Sequence, residues 1–187
     1  MADPNLLDAF SVAAQTAGAE VIPCSGTDEA INHIVATASG PLLLPPTASL
    51  NRLGLPAALS KAGCEVLQKE LRDSAPLAAA GLTGVNFAIA ETGTVVLEST
   101  AEDVRLASTL PQVHIVLLDP RKVISDSLAS TPILRRFHQG QTPNYLAYIT
   151  GPSRTADIER VLTIGAHGPK ELHILLLEGL SEDPMEQ

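Results

Sequence analysis

A chain of 187 residues with 45% hydrophobic content is long enough to bury one sizeable core and is most economically read as a single domain over residues 1–187. Aromatic residues supply only 3% and tryptophan is absent, so that core has to be built from Leu, Ile, Val and Ala. A formal net charge of −9 argues against broad nucleic-acid binding and against docking on anionic membranes, both of which need clustered positive charge.

In chain order, Pro4–Ala17 predicts a helix with Leu6, Leu7, Phe10 and Val12 on its apolar face. Asp3 and Asp8 stand where a secretory signal carries positive charge, and no apolar run approaches the roughly 20 residues that span a bilayer. The expectation is a cytoplasmic protein with no membrane span. Val21–Cys24 reads as a short strand, and Thr27-Asp28-Glu29 as the start of a helix that turns Ile31, Ile34 and Val35 inward and stops near Gly40-Pro41. Leu42–Leu44 is a buried strand closed by Pro45-Pro46. A helix interrupted near Pro56 occupies part of Ser49–Lys61, and Glu65–Leu67 returns as a strand.

Leu77–Leu82 reads as helical or turn-like, ahead of a hairpin from Phe87 to Leu97. Glycine at position 93 suits the positive φ of the turn, and β-branched Thr94, Val95 and Val96 favour a pleated strand. Val113–Leu118, bounded by Pro111 and Pro120, is the best central strand, since parallel strands covered on both faces read as continuous apolar runs. Val123–His138 predicts an amphipathic helix with Val123, Leu128, Ile133, Leu134 and Phe137 inward. Tyr145–Thr150 and Leu172–Leu177 complete the strands, and polar Ser181–Gln187 is expected to fray. Alternating helices and strands without a linker predict an α/β fold with a mostly parallel sheet and an attached antiparallel hairpin.

Three positions carry candidate chemistry. Glu91 stands at the hairpin turn with Thr92, Gly93 and Thr94; it is either a solvated turn glutamate or a general base, anchor or nucleophile beside a ligand. Gly151-Pro152-Ser153-Arg154-Thr155 follows a strand and precedes a short helical word, Ala156–Val161. Its hydroxyls, backbone N–H groups and Arg154 suit a carboxylate or phosphate, yet the same residues suit a helix cap with Arg154 paired to Asp157 or Glu159. His167 lies in a glycine-proline loop, where an imidazole either moves protons or ties down backbone. His114 is assigned a structural hydrogen bond, and His33, His138 and His173 show no partner pattern. Arg135-Arg136 is read as a solvated helix face.

Cys24 and Cys64 have no CxxC spacing and cannot alone build a four-ligand zinc or iron–sulfur site, so they are read as reduced thiols. His167 and His173 are six apart, which is not the spacing of a helical metal pair, and no metal is expected. The P-loop, the glycine-rich dinucleotide fingerprint and the G-x-S-x-G elbow are all missing from the sequence.

Taken in order, NFAIAETGTVVLE (Asn86–Glu98), HIVLLD after Leu110-Pro111, GPSRTADIE (Gly151–Glu159) and GAHGPKELHILLL (Gly165–Leu177) resemble the LUD-domain family. Within it they resemble the lactate-utilisation protein C (LutC)-like group, most strongly over residues 84–177. The resemblance implies a three-layer fold like that of ribose-phosphate isomerases, glucosamine-phosphate deaminases and CoA-transferases. In the last group a glutamate followed by a polar residue and glycine attacks a thioester, and Glu91-Thr92-Gly93 is similar to it as a three-residue word. It further implies catalytic roles for Glu91 and His167, and a ligand-binding role for Thr92, Gly93, Thr94, Ser153, Arg154 and Thr155. The implied function is a non-redox component of a system oxidising L-lactate to pyruvate, binding a small anionic ligand. Its partners would be a cysteine-rich subunit and an iron–sulfur subunit that carries the clusters, with no cofactor held by this chain. The alternative is a stand-alone CoA-transferase-like or sugar-phosphate-isomerase-like enzyme.

Overall fold

Val113–Leu118 forms the middle of a parallel sheet because both sets of its alternating side chains find a core. Ile115 and Leu117 join one apolar cluster, while Val116 and Leu118 join another on the opposite face. The computed structural model describes residues 3–140, 144–156 and 160–187. Its parallel strands are β1 (Glu20–Cys24), β2 (Leu42–Leu43), β3 (Val66–Leu67), β4 (Ala80–Gly84), β7 (Val113–Leu118) and β12 (Glu171–Leu177), ordered β1-β12-β7-β4-β2-β3. Helices α2 (Thr27–Thr37), α3 (Ala48–Arg52) and α4 (Leu55–Lys61) cover one face, where Ile31, Ile34, Leu50, Leu55 and Leu59 are buried.

A second sheet covers part of the other face. Strands β5 (Phe87–Ile89), β6 (Thr94–Glu98), β8 (Val123–Ile124) and β9 (Leu146–Ile149) are ordered β8-β5-β6-β9. The α/β class with a mostly parallel sheet is therefore observed, but the hairpin is the centre of a sheet of its own. Ala88, Val95 and Leu97 point towards β7 and β12, whereas Phe87, Ile89 and Val96 point outward and are covered by Phe137 of α7 (Thr131–Phe137). A two-stranded ribbon, β10 (Arg154–Thr155) with β11 (Thr163–Ile164), stands apart.

Helix α1 (Pro4–Thr16) begins where the Asp3 carboxylate accepts the Asn5 N–H at 3.0 Å, with Pro4 preset for the first turn. Its buried stripe is Phe10 and Ala14, supported by Leu6 and Leu7; Val12 faces solvent at 64% exposure, contrary to expectation. The helix interruption in Ser49–Lys61 falls at Leu53-Gly54, and Pro56 opens α4 instead of ending a helix.

Three further expectations are corrected. Leu77–Leu82 supplies strand β4, after a short 3-10 turn at Ala75–Leu77 (its neighbour α5 is Leu71–Ser74). The segment lacks β-branched bulk because helix α6 (Glu102–Thr109) lies against it: a Cβ on Gly81 would stand 1.8 Å from the Ala107 carbonyl oxygen. α6 itself went unrecognised, since only Val104, Ala107 and Ser108 of its eight residues are buried and no long apolar stripe marks it. Val123–His138 is not one helix. Val123-Ile124 pairs with β5 as β8, the Asp126 carboxylate accepts the Ala129 N–H at 2.9 Å to turn the chain, and Pro132 starts α7. Leu128 consequently stands 82% exposed.

The polar segment Ser181–Gln187 is not frayed. The Asn86 side-chain amide donates to the Pro184 carbonyl at 2.9 Å, Arg52 pairs with Glu186 at 2.8 Å, and the Lys122 ammonium donates to the Glu186 carbonyl. Polarity signalled solvent, whereas the segment is pinned by the buried Asn86 and Lys122 and by an exposed ion pair to Arg52.

The contact between α6 and β4 is testable. Gly81→Ala should destabilise by roughly 3 kcal/mol, the upper end for overpacking, because the obstacle is backbone that cannot rotate away. Gly26→Ala, with nothing within 4 Å, should be near neutral in the same denaturant titration.

Candidate functional site

Two of the sequence motifs meet. The Ser153 N–H donates to the Pro169 carbonyl at 2.9 Å, and the Gly165 N–H donates to the Ser153 carbonyl at 2.8 Å. These bonds lace the loop after β9 to the loop before β12. Between them and the end of α6 lies a cavity of about 270 Å³ lined by Ser108, Thr109, His114, Thr150, Ser153 and His167, with Ile149 and Leu172 among its apolar walls. In an open α/β sheet, a loop after a parallel strand faces the crevice at the carboxyl ends of the strands. Because β9 belongs to the second sheet, its loop is delivered to the amino ends of β7 and β12 instead.

His114 is the residue sequence reasoning undervalued. Its Nε2 lies 2.9 Å from the Thr83 hydroxyl, the structural hydrogen bond expected of it. It also lines the cavity, and its Nδ1 is buried with no partner among the described residues. Burial pushes its pKa down to about 4, so the ring is a neutral hydrogen-bonding group near pH 7. The signal available was its place at the mouth of the central strand. His167, by contrast, is exposed and lies at the rim.

The remaining candidates lie elsewhere. Glu91 and Thr92 are exposed at the tip of the β5–β6 turn and do not line the cavity. Gly93 takes φ +64°, and a Cβ there would stand 2.1 Å from the Ala14 backbone nitrogen, so this glycine seats the turn on α1. The Thr94 hydroxyl lies 2.7 Å from those of both Thr92 and Thr150, a relay that reaches the cavity wall through Thr150. Arg154 is exposed on β10, Thr155 pairs in register with Thr163, and neither lines the cavity. Asp157 and Glu159, the partners considered for Arg154, and the middle of the helical word Ala156–Val161 lie outside the described residues. Ser153 and His167 are thus brought together, without Glu91 or Arg154.

Among the described residues no group of three or more His, Cys, Asp or Glu is arranged to hold a metal. His33 and His173 do have partners: their ring nitrogens approach to 3.1 Å, and His173 also lies 3.1 Å from Glu20 and 3.2 Å from Glu171. Burial, then the neighbouring His173, pushes the His33 pKa down. No helix among the described residues is long and apolar enough to cross a membrane.

His114 makes stability depend on pH. With a folded-state pKa near 4, the native protein binds fewer protons than the unfolded chain below the ordinary histidine value of about 6.5. Stability present above that value is lost as pH falls towards about 4, by about 3 kcal/mol in all. Denaturant titrations stepped through this window should show the loss, and His114→Gln should flatten it; His33 adds in the same direction and remains in both proteins. An unchanged slope in the variant would overturn the assignment.

Comparison with known proteins gives this geometry its context. Residues 7–177 match the model of the LUD domain family. Lactate utilization protein C of Bacillus subtilis is 31% identical over 166 residues, covering 82% of this chain and 69% of that protein. An uncharacterized protein of Neisseria meningitidis serogroup B is 39% identical over 98 residues, covering 52% of this chain and 42% of that one. The chain thus aligns with under half of the length of the latter. Among solved structures, a DUF162 family protein from Deinococcus radiodurans superposes with a TM-score of 0.64 at 22% identity, covering 92% of this chain and 96% of that one, a likeness of fold.

Proposed function

This chain belongs to the LUD domain family, and on that premise we propose that it is a LutC-like, non-redox component of a system oxidising L-lactate to pyruvate, holding a small hydroxycarboxylate in the Ser153–His167 cavity. The observation that carries the reading is the convergence of the GPS and GAHGP loops on one cavity with an unpartnered imidazole nitrogen. Ser108, Thr109, Thr150 and Ser153 offer hydroxyls that both donate and accept, matching a ligand with a hydroxyl beside its carboxylate. Neutral His114 contributes a hydrogen bond at Nδ1, and His167 adds a second imidazole at the rim.

Among the described residues the cavity lining carries no lysine or arginine, which favours a monocarboxylate over a phosphosugar or a coenzyme A ester. The stand-alone transferase reading rests on Glu91, and that side chain is exposed on a turn outside the cavity. Electron transfer falls in this proposal to iron–sulfur and cysteine-rich partner subunits; this chain's two cysteines, Cys24 at the end of β1 and Cys64 in the loop between α4 and β3, are unpaired. The resemblance to isomerases and CoA-transferases implied by the sequence words then concerns scaffold and not reaction.

Deleting the gene should abolish growth on L-lactate in a host with no other lactate oxidase, and a plasmid copy should restore it. Copies carrying Ser153→Ala or His167→Gln, matched for expression and folding, should restore a growth rate at least severalfold lower. Undiminished growth without the gene, or full rescue by both variants, would overturn the proposal.

A further inference from the structure

The opposite end of the parallel sheet holds a second, independent cavity. Ligands of open α/β sheets collect in the crevice beyond the carboxyl ends of the strands. Here β2, β4 and β7 run out into Pro46-Thr47, Val85-Asn86 and the turn Asp119–Lys122. A cavity of about 300 Å³ lies there, lined by Thr47, Asn86, Glu98 and Val104, and bounded by Met185, Glu186 and Gln187 of the chain's own tail segment.

The chemistry of this crevice is unlike that of a finished core. Lys122 does not line the cavity but lies behind its bounding segment: it is 3% exposed, its ammonium donates to the carbonyls of Val85 at 3.0 Å and of Glu186, and it has no carboxylate within 4 Å among the described residues. A buried cation without a paired anion is costly. Burial pushes its pKa down to about 8, which leaves it mostly protonated near pH 7. Asn86, beside Val85, donates to the Pro184 carbonyl at 2.9 Å, and its amide oxygen accepts the Gln187 side-chain amide at 3.0 Å. Thr47, 7% exposed, has a buried hydroxyl with no partner among the described residues. Two of these three polar groups thus spend donors on main-chain carbonyls of residues 184 and 186, and the third is unspent. The segment is held from outside by the Arg52–Glu186 ion pair, which is open to solvent.

We propose that the crevice at the carboxyl ends of β2, β4 and β7 is a binding site for a small oxyanion, a carboxylate or a phosphate, and that residues 184–187 form a displaceable strap across it. The carbonyl oxygens of Pro184 and Glu186 occupy the places an anion's oxygens take, with Lys122 giving charge, Asn86 an amide donor and Thr47 its free hydroxyl. Binding and strap docking are mutually exclusive, so the strap lowers the apparent affinity by the fraction of molecules in which it is docked. Glu98, at the same cavity, sets a limit on how much negative charge the site accepts. None of these residues lines the His167 cavity, so each proposal can fail without the other.

The test uses the full chain, inorganic phosphate in one arm and sodium L-lactate in the other, and sodium chloride at equal ionic strength as the reference. Amide hydrogen exchange over residues 183–187 should accelerate severalfold with at least one of the two anions and not with chloride, the active arm identifying phosphate or carboxylate. Thr47→Val removes a hydroxyl that has no partner and so spares the fold; it should weaken the binding that drives this acceleration about tenfold. Lys122→Met should abolish that binding, whereas His167→Gln should leave it unchanged. No acceleration beyond chloride with either anion, or undiminished binding by folded Thr47→Val, would overturn the proposal.

Discussion

The constraint on which the rest of the structure depends is that β7 lies where water cannot reach it. Both its neighbours are parallel strands, β12 and β4, and its side chains from His114 to Leu118 are buried. Every backbone N–H and C=O along it must therefore find a strand partner, since an orphaned group would bear the full cost of desolvation. That requirement draws β12, from the far end of the chain, and β4, from its middle, onto the two edges of one strand. It also fixes what lies at each end of β7. His114, at the amino end, reaches the cavity built from the Ser153 and His167 loops. Asp119, at the carboxyl end, begins the turn that carries Lys122. The two sites are separated by one strand length, about 17 Å at 3.3 Å per residue.

The turn after β7 is held by a compact electrostatic arrangement. Asp119 is fully shielded, which by itself raises its pKa, but hydrogen bonds from Arg121 and from the Gly179 N–H outweigh this and hold it below the usual carboxylate range. The Asp119 carboxylate also accepts the Arg121 backbone N–H at 3.1 Å, which starts the 3-10 turn Pro120–Lys122. A satisfied buried charge thus sets the backbone direction that aims the neighbouring lysine at Val85 and the tail segment. At the other end of the sheet the polar groups are hydroxyls and imidazoles, and the lining carries no permanent charge among the described residues. One scaffold therefore presents, at opposite ends of the same strands, a hydroxyl-rich cavity and a crevice lined by Thr47, Asn86, Glu98 and Glu186 with Lys122 buried behind the segment that bounds it.

Legibility in the sequence tracked how local the cause was. Helix α1, strand β7 and the hairpin turn were readable because their determinants sit within a few residues: Asp3 and Pro4 at a helix start, an unbroken apolar run, and a glycine with φ +64° at a turn. Strand β4 and helix α6 were misread together, since Gly81 and Ala107 are small for each other's sake and neither segment shows why. Val123-Ile124 looked helical by periodicity, but two apolar residues at the edge of β5 were worth more as a strand.

For the site, the sequence by itself determined the chemical vocabulary: which loops carry Ser153 and His167, a core without tryptophan, and a turn with Glu91 at its tip. The backbone turns those words specify are short-range, so composition and spacing suffice for them. Only the tertiary structure decided which words share a sentence. It joined the Ser153 and His167 loops through two backbone hydrogen bonds, added His114 from a strand far earlier in the chain, and left Glu91 and Arg154 outside. It also laid the polar segment Ser181–Gln187 over Lys122. Such convergence depends on strand order and on which sheet a strand joins, and these are settled by burying whole faces against one another, a sum over distant residues that no local stretch of sequence contains.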